Sequence, residues 1–185
     1  EYDSNWLLIY LNINSKCGKW KTIEPALLTE EVKEIITILE KASLELRFVG
    51  GCVRNLLMQR KITDIDLAIK AHPDEIIATL EKNKILYDDF AKKYGSVIAH
   101  LNKQKFEITS LREDINQQGR HTNIRYTKNW KIDSQRRDFT INSIYLSSDG
   151  TLHDYYNGQE HIADQKLQFI GDVEQRVQED YLRIF

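Results

Sequence analysis

Asp64 and Asp66 are the residues whose spacing first suggests chemistry. The segment Ile65 to Ile69 reads as a strand, and side chains alternate along a strand, so residues 64 and 66 point to one side. Two carboxylates a few ångströms apart repel each other unless a cation lies between them, and magnesium takes hard oxygen ligands while bridging to substrate phosphates. An isolated Asp-x-Asp is more often a strand edge with two solvated acids. Ten residues before Asp64, Gly50-Gly51-Cys52-Val53-Arg54 closes a strand and opens a helix. Two glycines let backbone approach a bulky anion, free N–H groups at a helix start favour phosphate, and Arg54 adds a planar cationic fork. Alone, this too is an ordinary tight turn. In Arg136-Arg137-Asp138-Phe139-Thr140-Ile141-Asn142, helical spacing puts Arg137, Ile141 and Ile144 on one face and Asp138 with Asn142 on the next. One face can pack while the other reaches a ligand; the bland alternative is a solvated helix start, which accounts for Arg136 better than for Asn142.

The elements that would hold these residues follow from periodicity and punctuation. Thr29 reads as the N-cap of a helix to about Ala42, with Val32, Ile35, Ile36 and Leu39 buried. Leu46 to Val49 is a short strand, and the next helix turns Val53, Leu56 and Leu57 inward. Pro73 suits the first turn of a helix to about Lys82. Ile85 to Tyr87, Ser96 to Leu101 and Lys105 to Thr109 are strand candidates, with a hairpin turn at 102–104. Residues 112–132 read as polar and irregular, and the charge-rich stretch 112–137 as either a flexible loop near a substrate or a solvated connector. Residues 136–147 read as a helix and then the strand Ile144-Tyr145-Leu146, and Val173 to Phe185 as a final helix. The pattern suggests an α/β or α+β sheet covered by helices.

Composition narrows the partners. Lys and Arg number 26 against 28 Asp and Glu, a net charge of −2 over 185 residues, so no global basic footprint marks a polyanion binder. Any RNA-binding charge has to be local or supplied elsewhere. Cys17 and Cys52 have no zinc-ligand spacing and read as reduced thiols of a cytoplasmic protein. No apolar run reaches membrane-span length. The five histidines show no ligand spacing, a thiol role for Cys52 is disfavoured, and Tyr155-Tyr156 reads as packing rather than base stacking.

In order along the chain, Gly-Gly-Cys-Val-Arg, Asp-Ile-Asp-Leu-Ala, Arg-Arg-Asp-Phe-Thr-Ile-Asn and Glu179-Asp180-Tyr181-Leu182-Arg183 resemble the motifs of the class II tRNA nucleotidyltransferase (CCA-adding enzyme) and bacterial poly(A) polymerase family. The resemblance runs from about Trp20 to Ile184 and includes Lys93 to Val97, Phe106 to Thr109 and Asp154 to Gly158. It implies an α+β fold: a DNA-polymerase-β-like nucleotidyltransferase head with a mixed sheet covered by helices, plus the start of a helical neck. The implied division is an extension over 1–28, a head over 29–160 and the neck start over 161–185. It implies transfer of CMP and AMP from CTP and ATP to a tRNA or other RNA 3′ end with two Mg²⁺ ions. Asp64 and Asp66 would bind the metals, with Glu107 as third acid. Gly50, Gly51 and Arg54 would hold the triphosphate, Arg137 the nucleotide, and Asp138 with Asn142 the ribose site. Asp180 and Arg183 would read the base edge in place of a template.

Some positions depart from the family pattern. Asn55 stands where Asp is usual, which removes a charge; Gln59, Lys61 and Ser143 stand for Gly, Pro and Ala. The family continues beyond its last motif into helical neck, body and tail regions that grip tRNA. The expectation is therefore a piece of a longer protein, the product of a split or decaying gene, or a head that works with a separate helical partner. CCA addition is the leading expectation, with poly(A) addition next. A non-catalytic nucleotide-binding remnant or subunit is the alternative of another class.

Overall fold

The computed structural model describes residues 27, 29–118 and 121–174. Thr29 caps α1 (Glu30–Lys41): its Oγ1 accepts the Val32 N–H at 3.3 Å, and Val32, Ile35, Ile36 and Leu39 are buried along one stripe. Strand β1 (Leu46–Val49) leads into α2 (Gly51–Leu57), which buries Cys52, Val53 and Leu56. Then come β2 (Ile65–Ile69), α3 (Pro73–Lys82), β3 (Leu86–Asp88), β4 (Ser96–Leu101) and β5 (Gln104–Ser110). Asn102, at φ 53, makes the turn between β4 and β5, a left-handed conformation that asparagine tolerates better than most residues. The remaining elements are β6 (Arg112–Gln118), β7 (His121–Tyr126), α4 (Trp130–Gln135), β8 (Tyr145–Leu146), β9 (Leu152–His153) and α5 (Gly158–Ala163).

Seven strands form one sheet in the order β3-β4-β5-β2-β1-β8-β9, parallel at β2–β5 and antiparallel at its other pairings. Alternation gives the sheet two unlike faces. Leu46, Phe48, Leu67, Ile69, Val97, Ala99, Phe106 and Ile108 point into the main core with the apolar stripes of α1 and α3. On the opposite face, Val49, Ala68, Leu111, Trp130 and Tyr145 form a smaller buried cluster against which Tyr155 packs. Trp130 seals this cluster: Nε1 donates to Glu45 at 2.9 Å, and the Arg47 guanidinium lies 4.1 Å from the ring centre. Asp66 and Glu107 emerge on this second face, so the fold spends one side of the sheet on stability and keeps part of the other for chemistry.

The structure corrects two expectations. Residues 112–118 and 121–126 are not irregular; they pair as an antiparallel two-stranded sheet. Polar side chains hide such a ribbon from hydropathy reading, and ion pairs such as Arg125–Glu113 lie along it. The helix expected from residue 136 is also absent. Arg136 ends α4, and only a 3-10 turn, Thr140–Asn142, precedes β8. Long-range pairing wins here. Phe139 is extended at φ −108 and ψ 147, the Thr140 N–H donates to Gln168 O at 3.0 Å, and the Ile170 N–H donates to Asp138 O at 2.9 Å. Of the helix expected over 173–185, Val173 and Glu174 are helical and the rest lies outside the described residues.

Gly158 locks that 3-10 turn in place. A Cβ there would lie 2.4 Å from Thr140 O and 2.8 Å from Ile144 Cγ1, and the first of these is backbone that cannot swing aside. Gly158→Ala is expected to cost about 1–3 kcal/mol, the usual range for overpacking. An unchanged denaturation midpoint would refute the tight approach.

Candidate active site

Register brings the acids together. The parallel pairing of β2 and β5 sets Asp66 beside Glu107, and Asp64 precedes β2 by one residue. Asp64 is exposed and accepts the Thr63 hydroxyl at 2.8 Å. The Asp66 carboxyl is pushed up to about 6, first by burial, then by the Glu107 and Asp64 charges, with Arg137 opposing. Gly50 adjoins them at φ 74, a backbone conformation that side chains rarely adopt. A Cβ at that position would sit 3.3 Å from Asp66 Oδ2 and 3.9 Å from Arg137 Nη1. The glycine turn, the second aspartate and the arginine of the third motif therefore converge on one spot.

A second chain of contacts ties α2 to the 3-10 turn. Arg54 Nη1 donates to Asn142 Oδ1 at 2.7 Å, and Asn142 Nδ2 donates to Asp138 Oδ1 at 3.1 Å. On its other side, Arg54 donates to Asn55 Oδ1 from Nε at 3.2 Å and from Nη2 at 3.1 Å. Asn55 is fixed in turn by donating to Lys61 O at 3.0 Å. Gly51 lies under the same guanidinium, where its Cβ would be 3.6 Å from Arg54 Nη2. Asp138 and Asn142, expected as neighbours on a helix, thus meet across a turn instead.

Sequence reasoning missed the residues that aim Arg137. Asp133, 0 % exposed, accepts from Arg137 Nη2 at 3.4 Å, from Arg136 Nε at 3.0 Å, from the Tyr145 hydroxyl at 2.7 Å and from the Arg112 N–H at 3.1 Å. Arg137 Nε also donates to the Tyr145 oxygen at 3.3 Å. Burial works against the Asp133 charge, but Arg136 and Arg137 outweigh it and hold the carboxyl below the usual range. Burial pushes the Tyr145 hydroxyl up, beyond the ordinary phenol range. The available signal was Asp133, three and four residues before a pair of arginines on a helix.

Other candidates fall away. Burial pushes the Cys52 thiol up to about 11, which leaves no thiolate for nucleophilic work. His72, His100, His153 and His161 bond to Asp74 N–H, Asp88, Ser147 and Thr140 respectively. Asp180 and Arg183 lie outside the described residues. Among the described residues, no three acidic, histidine or cysteine side chains are gathered closely enough to enclose an ion. The donor set nonetheless suits a hard divalent cation that keeps open positions for substrate oxygens. Asp66 and its neighbours offer carboxylate oxygens, and a cation placed among them would relieve the mutual repulsion that raises the Asp66 carboxyl.

A family profile described as "Poly A polymerase head domain" matches residues 46–168, which include the glycine turn, the acids and the arginine motif. The chain belongs to this family. The chain is 42% identical over 160 residues to human CCA tRNA nucleotidyltransferase 1, mitochondrial, covering 86% of this chain and 37% of that protein. It is 35% identical over 152 residues to the CCA-adding enzyme of Oceanobacillus iheyensis, covering 81% of this chain and 37% of that enzyme. In structure it is similar to the Bacillus stearothermophilus CCA-adding enzyme in complex with CTP, with TM-score 0.76, 30% identity, and coverage of 88% of this chain and 38% of the other. The chain thus spans little more than a third of the length of these relatives. The α+β head with a mixed sheet expected from the motifs is the fold observed.

Within this head domain Gly50 is expected to tolerate no side chain. Gly50→Ala should cost about 1–3 kcal/mol from backbone strain and displace the Asp66 carboxylate. Paired thermal melts with and without Mg²⁺ test this: an unchanged melting temperature and an unchanged metal-dependent shift would contradict it.

Proposed function

We propose that the chain is the catalytic head of an RNA nucleotidyltransferase that moves CMP and AMP from CTP and ATP to an RNA 3′ end, with tRNA CCA addition as its reaction. The convergence of Gly50, Asp66 and Arg137, with Glu107 in register beside Asp66, carries this reading. Its relatives named as CCA-adding enzymes support it. Gly50 and Gly51 let the triphosphate approach the backbone. Arg54 supplies a fork for phosphate oxygens, oriented by Asn55 and Asn142. Arg137 contacts the nucleotide, and Asp138 with Asn142 shapes the ribose site. Asp180 and Arg183 read the incoming base edge.

Asp64 and Asp66 would hold two Mg²⁺ ions, which supply charge to favour loss of the RNA 3′-hydroxyl proton and departure of pyrophosphate. Glu107 is the third acid beside them. Positioning and electrostatics supply the catalysis, without a covalent enzyme intermediate. We read residues 1–28 as an extension, 29–160 as the head and 161–185 as the start of a helical neck. A separate helical partner would supply the tRNA-gripping surface wherever the same chain does not. A reducing compartment fits the buried free thiol of Cys52; we place the protein in the cytoplasm, although the human relative is named mitochondrial. No described helix is long and apolar enough to cross a membrane.

The test is label transfer from CTP and then ATP to a tRNA lacking its terminal CCA, alongside melting with each nucleotide and Mg²⁺. Two cytidines followed by one adenosine is the expected product. A run of adenosines would replace CCA addition with polyadenylation. Nucleotide-dependent stabilisation without transfer would leave a binding subunit, and neither response would overturn the reading.

A further inference from the structure

Beside the acids, on the far side of β2 from the glycine turn, lies a cleft of ≈ 630 Å³ lined by Glu31, Thr63, Asp64, Asn102, Lys103, Gln104 and Lys105. Its volume is within the range of about 300–1,000 Å³ typical of ligand sites. The register that puts Ile65 beside Phe106 and Asp66 beside Glu107 leaves Lys105 one residue earlier in β5 and Asp64 one residue before β2, and both line the cleft. Lys103 occupies the β4–β5 turn immediately before. Neither lysine side chain has an ion-pair or hydrogen-bond partner among the described residues. The nearby cationic demand is met elsewhere: Glu31 accepts from Asn102 at 3.0 Å, and His100, across from Lys105, is paired with Asp88 at 2.7 Å. Two free ammonium groups thus face a cleft that ends at a catalytic acid.

We propose that this cleft holds the backbone of the RNA primer, with Lys103 and Lys105 as positioning residues for the phosphates just 5′ of the terminal nucleotide. The inference rests on the nucleotidyltransferase reading above. Phosphoryl transfer places the attacking and leaving oxygens roughly in line. Pyrophosphate departs on the side of Gly51 and Arg54, across β2 from the cleft, so the 3′-hydroxyl strand approaches from the opposite side. That is the side of β5, where Lys105 lies. Lysine serves here as a point charge on a flexible stem and reads backbone rather than base. The chain's overall net charge of −2 makes such local cations the means by which the head could hold a polyanion.

The experiment compares the parent, the double variant Lys103→Ala with Lys105→Ala, and the double variant Lys103→Arg with Lys105→Arg. The readouts are anisotropy of a labelled single-stranded RNA ending in CC, and transfer kinetics with primer and CTP varied separately. The alanine pair is expected to weaken RNA binding and raise the primer KM about tenfold. The slope of binding against salt should fall by about 1, near the value for losing one or two phosphate contacts. The CTP KM and kcat should stay within about twofold, and the arginine pair should bind RNA like the parent. Parent-like RNA binding by the alanine pair would overturn the proposal, as would an RNA that fails to bind the parent at all. Loss confined to inhibition by pyrophosphate would overturn it too, by assigning the cleft to the product. RNA binding that depends on the lysines without any transfer would keep this cleft and sink the catalytic reading instead.

Discussion

Asp66→Asn is expected to lower nucleotidyl transfer by about a thousandfold or more, a barrier increase of about 4 kcal/mol, while raising the melting temperature in metal-free buffer. The two effects have one origin. Asp66 is partly buried and faces the charges of Glu107 and Asp64, with only Arg137 in compensation. The carboxylate therefore costs the apo-protein stability, and asparagine removes that cost with nearly the same shape. The same change removes an oxygen from the proposed metal site, so a rise in the parent's melting temperature with Mg²⁺ is expected, and it should shrink or vanish in the variant. The measurements are label incorporation and paired melts in chelator and in Mg²⁺. Parent-like transfer would remove Asp66 from the chemistry. A lower metal-free melting temperature would show that the charge is compensated by contacts other than those described.

The second large effect concerns folding. Asp133→Ala should destabilise the domain by about 3–5 kcal/mol, the range for breaking one side of a buried ion pair. It strands the half-buried Arg137 and Arg136 cations and leaves the Tyr145 hydroxyl without its acceptor. Because the Asp133 carboxyl sits below its ordinary value in the folded state, its contribution is complete above the unfolded carboxylate pKa of about 4. That contribution is lost as pH falls through the folded value. The parent should therefore lose stability on acidification below about pH 4 through this group, whereas the variant, already without it, should show a flatter dependence there. Denaturant unfolding across that range measures both. An Asp133→Ala midpoint equal to the parent's would show that the network carries no net stability.

The sheet strands other than β9, and the first three helices, were legible from local patterns such as Val32, Ile35, Ile36 and Leu39 on α1 and alternating Ile65, Leu67 and Ile69 on β2, whereas the two-residue β9 was too short to leave one. The site was legible for a different reason. Gly50, Asp64, Asp66 and Arg137 lie in short runs that are ordinary one by one and became specific through their order and their resemblance to one family, and the β2–β5 register then sets Asp66 beside Glu107. What stayed hidden depends on distant partners. The β6–β7 ribbon is held by backbone pairing between strands whose polar composition looks like loop, and Phe139 is pulled out of helix by residues 168–170. Asp133 looked like any helix-surface acid until the fold buried it under two arginines and a tyrosine.

The arrangement around Arg54 has a consequence for how firmly the head can grip its substrate. Its two side-chain partners, Asn55 and Asn142, are amides, so they steer the guanidinium without cancelling any of its positive charge. A carboxylate at either place would fix the same direction but would have to be outcompeted each time a polyphosphate arrived. Amides do not ionise over the physiological range either, so the aim of this cation stays constant while the Asp66 carboxyl across the site gains and loses its proton.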